Sequence, residues 1–180
     1  MLSWGRFRRS APGLASSGRA LLYRSGVGLA YLGTVRADGG PRVHPVSPLL
    51  VEDGLYTLLT VSPKLEDLLR DDRFALHTFP LHDGEEAFYL TGRARFPRDQ
   101  ALRRSVAAAF LAERGMSGPP PGFGQHVLVE LHVETCVLSR AGEQVTWAAA
   151  DPHRHEVGRH RETRHRETRY REYTSNSHSE

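Results

Sequence analysis

Residues 27–51 read VGLAYLGTVRADGGPRVHPVSPLLV, with an apolar run on either side of the turn sequence ADGG. Residues 27–36 predict a strand, and the glycines of the turn tolerate the positive φ that a tight hairpin requires. Residues 42–51 are then the returning strand. Because proline cannot donate to a strand ladder, Pro45 and Pro48 indicate a sheet edge or a bulge in this strand.

Strands and tight turns continue along the chain. Asp53-Gly54 predicts a second hairpin into a strand over 55–61, and residues 73–79 predict the next strand. Residues 86–96 alternate as a half-buried strand does, and alternate residues of 127–137 share one face of a long last strand. About six strands without regular βαβ alternation predict a mainly β, α+β fold: an antiparallel barrel with short flanking helices. The sequence contains no G-x-G-x-x-G motif and no Walker loop, so no nucleotide-binding motif of an α/β fold argues against this prediction.

Helical patterns flank the strands. Residues 3–25 predict one or two helices that stop at Gly26. Asp99 is placed to cap a further helix, which Gly115 ends. The patterns divide the chain into an N-terminal helical segment (1–26), a barrel domain (27–149) and a charged, disordered tail (150–180).

Lys64 is the only lysine of the chain, beside 23 arginines, and it lies where a predicted strand turns into a short helix. Ser62 is a plausible N-cap, with Pro63 at the first helical position. Helix N-termini carry unpaired N–H groups and partial positive charge, so a hydroxyl and an ammonium there suit an anion. A chance position in an arginine-rich composition explains the lysine equally well.

The helix that follows Lys64 is predicted to be about two turns long. Leu65, Leu68 and Leu69 form its apolar stripe, which predicts the side that faces the core. Glu66 and Arg70 are spaced to pair at i,i+4 on its surface.

The composition, 39% hydrophobic and 25% charged over 180 residues, is that of a globular protein with room for one real core. The single cysteine, Cys136, excludes an intramolecular disulfide, and its apolar surroundings indicate a core residue and not a nucleophile. The N-terminus lacks an apolar signal segment, and no stretch approaches the roughly 18 apolar residues of a membrane span. We therefore expect a cytoplasmic protein that does not act at a membrane.

The basic pI of about 9.3 comes mainly from the tail. Residues 153–180 carry seven of the 24 basic and five of the 21 acidic residues, which leaves 17 and 16 in residues 1–152. A nearly neutral body makes nucleic acid an unlikely partner, and the tail has no aromatic stacking platform for bases.

Other chemical motifs are weak. The run 155–160 (HEVGRH) resembles the zinc motif H-E-x-x-H, but its second histidine comes one residue late. Glu130, His132 and Glu134 alternate on one strand face and could bind a metal, although a solvated or partner-facing strand face is the simpler interpretation. His77 at mid-strand is expected to be structural. We therefore predict no metal site, and the lack of a nucleophile elbow gives no support to acyl transfer.

Three stretches stand in order along the chain: 32–46 (LGTVRADGGPRVHPV), 62–77 (SPKLEDLLRDDRFALH) and 88–94 (FYLTGRA). Together they resemble the pyridoxamine 5′-phosphate oxidase-like FMN-binding split barrel family. The resemblance covers residues 27–97 well and 99–140 loosely. It implies a six-stranded split β-barrel that forms a homodimer, with a flavin in each of two grooves at the interface.

The resemblance also implies the cofactor site. An arginine on the second strand and the turn after the third strand hold the FMN phosphate in this family, which corresponds here to Arg42, Ser62 and Lys64, with Thr60 as a helper. The backbone around His44, Pro45 and Val46 would line the isoalloxazine ring. The full set of implied cofactor-binding residues is Arg42, Val43, His44, Pro45, Val46, Ser47, Thr60, Ser62 and Lys64.

Two departures from the family narrow the expected function. The oxidases proper carry a lysine where this chain has Ser47, and a dedicated C-terminal segment where this chain has its charged repeat. We therefore expect an FMN-dependent oxidoreductase that acts on a small molecule other than pyridoxamine phosphate, with no side chain identified as catalytic. A deazaflavin coenzyme or haem in the same fold, and a non-enzymatic flavin-binding sensor, stay open as alternatives.

Overall fold

The computed structural model describes residues 1–79, 86–140 and 142–149. The predicted tail over 150–180 and the HEVGRH motif lie outside these residues. Four α-helices and eight strands are described. The helices are α1 (Trp4–Ser10), α2 (Pro12–Leu22), α3 (Pro63–Arg70) and α4 (Gln100–Glu113). The strands are β1 (Ala30–Val35), β2 (Pro41–Val46), β3 (Leu49–Val51), β4 (Gly54–Leu59), β5 (Arg73–Thr78), β6 (Ala87–Arg95), β7 (Val127–Arg140) and β8 (Glu143–Ala148).

All eight strands belong to one antiparallel sheet with the order β2-β1-β5-β6-β7-β4-β3, and β8 pairs with β7. β2 and β3 are the two ends of this order, although only Ser47 and Pro48 separate them in the chain. Two residues bridge a gap of only about 10 Å, so the sheet must curl until its ends meet. The result is a split barrel, and the predicted mainly β, α+β fold is confirmed.

The edge signal of the prolines is confirmed, but the strand that carries them is divided. The sequence predicts one strand over 42–51, whereas the structure has β2 and β3 on opposite edges of the sheet with Pro48 between them. β8 is an addition to the predicted set of about six strands. It continues as a hairpin from β7, with Cys136 opposite Trp147.

The two predicted hairpins form. β1 and β2 pair from Ala30↔Val46 to Val35↔Pro41, and Gly39 takes the positive φ of 82° that the turn needs. The turn between β3 and β4 is shifted from the predicted Asp53-Gly54, because Glu52 takes the positive φ, 52°.

The helices pack on both faces of the sheet: residues of α1, α2 and α3 share the main core with Val129 of β7, whereas Val106 of α4 packs with the neighbouring Leu128 on the other face. α1 and α2 lie within residues 3–25 as predicted, and Gly26, four residues beyond the end of α2, has a φ of 82°. The Asp99 carboxylate accepts hydrogen bonds from the backbone of Ala101 at 2.7 Å and Leu102 at 3.2 Å, which confirms the predicted cap of α4. No helix of the described part is both long and apolar enough to cross a membrane.

A β-bulge at Glu134 changes the face of the last strand. Thr91 pairs with Thr135 but Gly92 pairs with Val133, so Glu134 has no opposite residue. The prediction that alternate residues of 127–137 share one face is therefore wrong beyond Val133, and Cys136 takes the next buried position. Burial raises the pKa of the Cys136 thiol to about 12, which agrees with its predicted place in the core.

Candidate functional site

The candidate site lies where α3 packs over the hairpin of β1 and β2. Thr34 on β1 and Arg42 on β2 are directly opposite in the strand register. Both side chains point at Asp67 of α3, which is only 3% exposed. The Arg42 Nε donates to Asp67 Oδ2 at 2.7 Å, and the Thr34 hydroxyl donates to the same oxygen at 2.9 Å.

The second oxygen of the Asp67 carboxylate is bound by Arg70, whose Nη2 donates to Oδ1 at 3.3 Å. Arg70 also donates to the backbone carbonyl of Val35 at the end of β1. The predicted i,i+4 pair of Glu66 with Arg70 is therefore wrong, because Arg70 turns inward to the buried carboxylate. The same contact explains why Asp67, and not Leu69, completes the buried side of α3: Leu69 is 62% exposed.

Asp67 is held in its charged form. Burial by itself would raise the pKa of the carboxyl, but the hydrogen bonds from Arg42, Thr34 and Arg70 outweigh it and hold the pKa below its ordinary value. The site therefore contains a fixed negative charge surrounded by donors.

Arg42 and Lys64 keep unused donors. Within the described residues, the hydrogen bonds of Arg42 employ only Nε, so both terminal nitrogens of its half-buried guanidinium can serve a ligand. Lys64 forms no hydrogen bond or ion pair to the described part of the chain, and it lies three residues before Asp67 on the same side of α3. The structure thus brings Arg42 and the Lys64 side of α3 to one place.

Ser62 and Thr60 lie at the start of α3. Ser62 has the predicted N-cap position, and its carbonyl accepts from the backbone of Leu65 and Glu66. Its hydroxyl, however, donates to the carbonyl of Thr60 at 2.9 Å instead of capping the helix. Thr60 is exposed and Ser62 is half-buried, and neither side chain forms a hydrogen bond to Arg42 among the described residues.

The implied residues of β2 divide between two faces. Arg42, His44 and Val46 alternate on the inward side, whereas Val43, 63% exposed, and Pro45 point outward. Ser47 is half-buried just beyond the strand. Val43 and Pro45 could therefore line a ligand beside Arg42 only through their backbone atoms, because their side chains point away from it.

His44 has an unusual environment. Its Nε2 is buried and finds no hydrogen-bond partner among the described residues. Buried polar atoms are nearly always paired, so an unpaired one on the same face as Arg42 is the kind of atom that a ligand satisfies.

The candidate metal residues do not form a site. His132 Nε2 lies 3.3 Å from Glu130 Oε2, but Glu134 sits in the bulge and binds Arg93 at 3.2 Å. In residues 1–79, 86–140 and 142–149, no group of three metal-binding side chains comes together. His77 is held by its own strand, with Nδ1 2.6 Å from the next carbonyl.

Solved structures share this fold. A NimC/NimA family protein from Clostridium acetobutylicum is 17% identical, with a TM-score of 0.58 over 76% of this chain and 94% of that protein. A general stress protein 26-related protein of the pyridoxinephosphate oxidase family, also from C. acetobutylicum, is 15% identical, with a TM-score of 0.53 over 73% and 95%. A haem-binding protein from Mycobacterium smegmatis is 15% identical, with a TM-score of 0.58 over 74% of this chain and 57% of that protein.

At these identities the likeness concerns the fold alone. No protein-family profile and no curated protein matches the sequence. The sheet order and the open barrel make the chain a split-barrel protein. Its fold is that of the pyridoxamine 5′-phosphate oxidase-like proteins, as the resemblance of the three sequence stretches predicts.

Proposed function

We propose that the protein is an FMN-dependent oxidoreductase that acts on a small organic molecule, as a homodimer with the flavin at the subunit interface. The observation that carries the proposal is Arg42, fixed on Asp67 against α3 with its terminal nitrogens unused, beside the Lys64 side of the helix.

The charges of the site suit a phosphate group. Arg42 and Arg70 already exceed Asp67 by one positive charge, and Lys64 adds a second at the start of the same helix. A phosphate monoester carries about two negative charges at neutral pH. The planar fork of an arginine and the point charge of a lysine are the usual pair of side chains that bind it.

The remaining residues suit the rest of a flavin nucleotide. His44 lies two residues from Arg42 on the same face of β2, about 7 Å along the strand, and its unpaired Nε2 could bind a polar group of the ribityl chain or ring. A bound flavin supplies the redox chemistry, whereas the protein binds it, orients it and excludes water. We name no side chain as a proton donor.

The test is a visible spectrum of the purified protein, before and after addition of FMN. Flavin absorption that follows the protein through a sizing column, with a Kd below about 100 μM, supports the proposal. Absence of binding at that concentration would contradict it. A mass measurement in solution tests the homodimer.

Haem is the second candidate, and one observation favours it. The buried Nε2 of His44 is of the atom type that ligates haem iron, and nothing in the described residues occupies it. A Soret band on titration with haem, lost in His44→Ala, would support this alternative. A separate titration with the deazaflavin coenzyme tests that alternative. The cytoplasmic location stays a prediction.

A further inference from the structure

We propose that Asp67 is a positioning residue: it fixes the direction of the Arg42 guanidinium and thereby makes the site select a ligand with a phosphate over the same ligand without one. This inference rests on the proposed function, because FMN and riboflavin are the pair of ligands that it separates.

The contact between the two residues leaves the binding end of the arginine free. Asp67 takes Nε, the nitrogen nearest the backbone, at 2.7 Å. A carboxylate that bound the two terminal nitrogens would compete directly with a phosphate, whereas one that binds Nε orients the fork and leaves its outer edge open.

The carboxylate is itself immobilised. Thr34 donates to the same oxygen as Arg42, Arg70 donates to the other, and the side chain is only 4% exposed. Asp67 cannot rotate away without breaking these bonds in a buried place, where an unpaired charge is costly. The direction of Arg42 is therefore set before a ligand arrives, which reduces the loss of side-chain entropy on binding.

The opposite role for Asp67, a charge that repels phosphate, fits the geometry less well. Its oxygens face Thr34, Arg42 and Arg70, and it is buried beneath the helix. Two arginines thus offset its charge at close range. Repulsion and positioning predict opposite results when the charge is removed, so they can be separated.

The experiment measures the Kd of FMN and of riboflavin by flavin fluorescence. The riboflavin Kd divided by the FMN Kd is the selection ratio for the phosphate. We expect Asp67→Asn to lower this ratio by about tenfold, the scale of a charge-assisted hydrogen bond, with the riboflavin Kd changed by less than about twofold. Glu66→Gln is the matched control: it removes the same charge from the exposed neighbouring position, and the ratio should stay within about twofold of wild type.

A double variant tests whether Asp67 acts through Arg42. In an Arg42→Ala background, Asp67→Asn should lower the ratio no further, because the arginine that it orients is gone. A further loss of similar size would overturn the inference. So would a higher ratio in Asp67→Asn alone, which would make Asp67 a repelling charge, and so would equal losses for both ligands, which would make its role purely structural.

Thr34→Val is the second variant, in case Asp67→Asn does not fold. It keeps the charge and removes one of the bonds that hold it, so the ratio should fall by a smaller factor in the same direction. An unchanged ratio in a folded Thr34→Val protein would also count against the inference.

A measurement that uses no flavin separates this inference from the proposed function. The Nε–Hε resonance of Arg42 is followed by NMR during titration with inorganic phosphate. If wild-type protein binds neither flavin, the proposed function is wrong; a phosphate-dependent shift in wild type that is lost in Asp67→Asn would still support the role of Asp67. The same response in both proteins, or in neither, would overturn it.

Discussion

Gly18 of α2 lies directly against the ring of Phe88 on β6: a Cβ added at Gly18 would stand 2.3 Å from the Cζ of Phe88. Phe88 is 1% exposed and belongs to the main core, so its ring is enclosed by other core side chains. Because Gly18 has no Cβ, α2 can pack closely against β6 at this point.

Gly18→Ala should therefore destabilise the protein by about 1–3 kcal/mol, the usual cost of overpacking a core. Gly13→Ala is the matched control on the same helix, because a Cβ there meets nothing within 4 Å. It should change the free energy of unfolding by no more than about 1 kcal/mol, towards higher stability. Urea unfolding of both variants checks this, and similar free energies for the two would contradict the packing.

Lys64→Ala should weaken the binding of FMN by about 1–3 kcal/mol, because it removes a charge-assisted contact to the phosphate. Riboflavin lacks the phosphate and should bind nearly as before. Arg104→Ala, which removes an exposed positive charge from α4, is the control and should leave both affinities unchanged. Equal losses of FMN and riboflavin in Lys64→Ala would mean that Lys64 does not contact the phosphate.

Tyr23 should make stability sensitive to alkaline pH. Its hydroxyl donates to Glu113 Oε1 at 2.9 Å and accepts from the backbone of Leu50 at 2.8 Å. Burial, and then the nearby Glu113 carboxylate, raise the pKa of Tyr23 from 10.0 to about 12. Since the folded state favours the neutral phenol, this contribution is complete below pH 10 and is lost as the pH rises from 10 to about 12.

Tyr23→Phe should remove this part of the pH dependence and cost about 1–2 kcal/mol at neutral pH through the lost hydrogen bonds. Urea unfolding at a series of pH values measures both effects. The pKa of Tyr56 is also raised to about 12, mainly by burial, so part of the alkaline slope should remain in the variant. A slope identical to wild type would show that Tyr23 does not contribute.

Val43→Asp tests the proposed homodimer. Val43 is 63% exposed on the outward face of β2, and the strand register places the outward Tyr31 and Pro45 beside it. If a second copy covers this face, an unpaired charge there should produce monomers. Val145→Asp, at a 51% exposed position on β8, is the control and should leave the mass in solution unchanged. A dimer that survives Val43→Asp would place the interface elsewhere.

Local signals were the predictable part of the fold. The turn after β1, the proline at the start of α3 and the Asp99 cap each depend on residues within four positions, so a short stretch of sequence contains all the partners. The alternation of β6 also depends only on which residues are apolar, and Phe88, Leu90, Gly92 and Ala94 are all buried as predicted.

Long-range pairing was the unpredictable part. The bulge at Glu134 exists because β7 pairs with β6 on both sides of it, and no nearby residue indicates which position has no partner. Asp67 is similar. In sequence it is an ordinary charged residue of a short helix with two acidic and two basic side chains. It becomes a buried anchor only because Thr34 and Arg42, 33 and 25 residues away, lie beneath it.

The division of residues 41–51 between β2 and β3 has a consequence for local opening of the sheet. β2 is held in the sheet by its ladder to β1 and by the hydrogen bond from Arg42 to Asp67 of α3. Its other edge pairs with no strand among the described residues. Strands with one ladder open locally at a lower free energy than central strands, so the amides of β2 should exchange with solvent sooner than those of β6. A ligand bound to Arg42 would add contacts to β2, so slower hydrogen exchange along β2 would report ligand binding without any knowledge of the reaction.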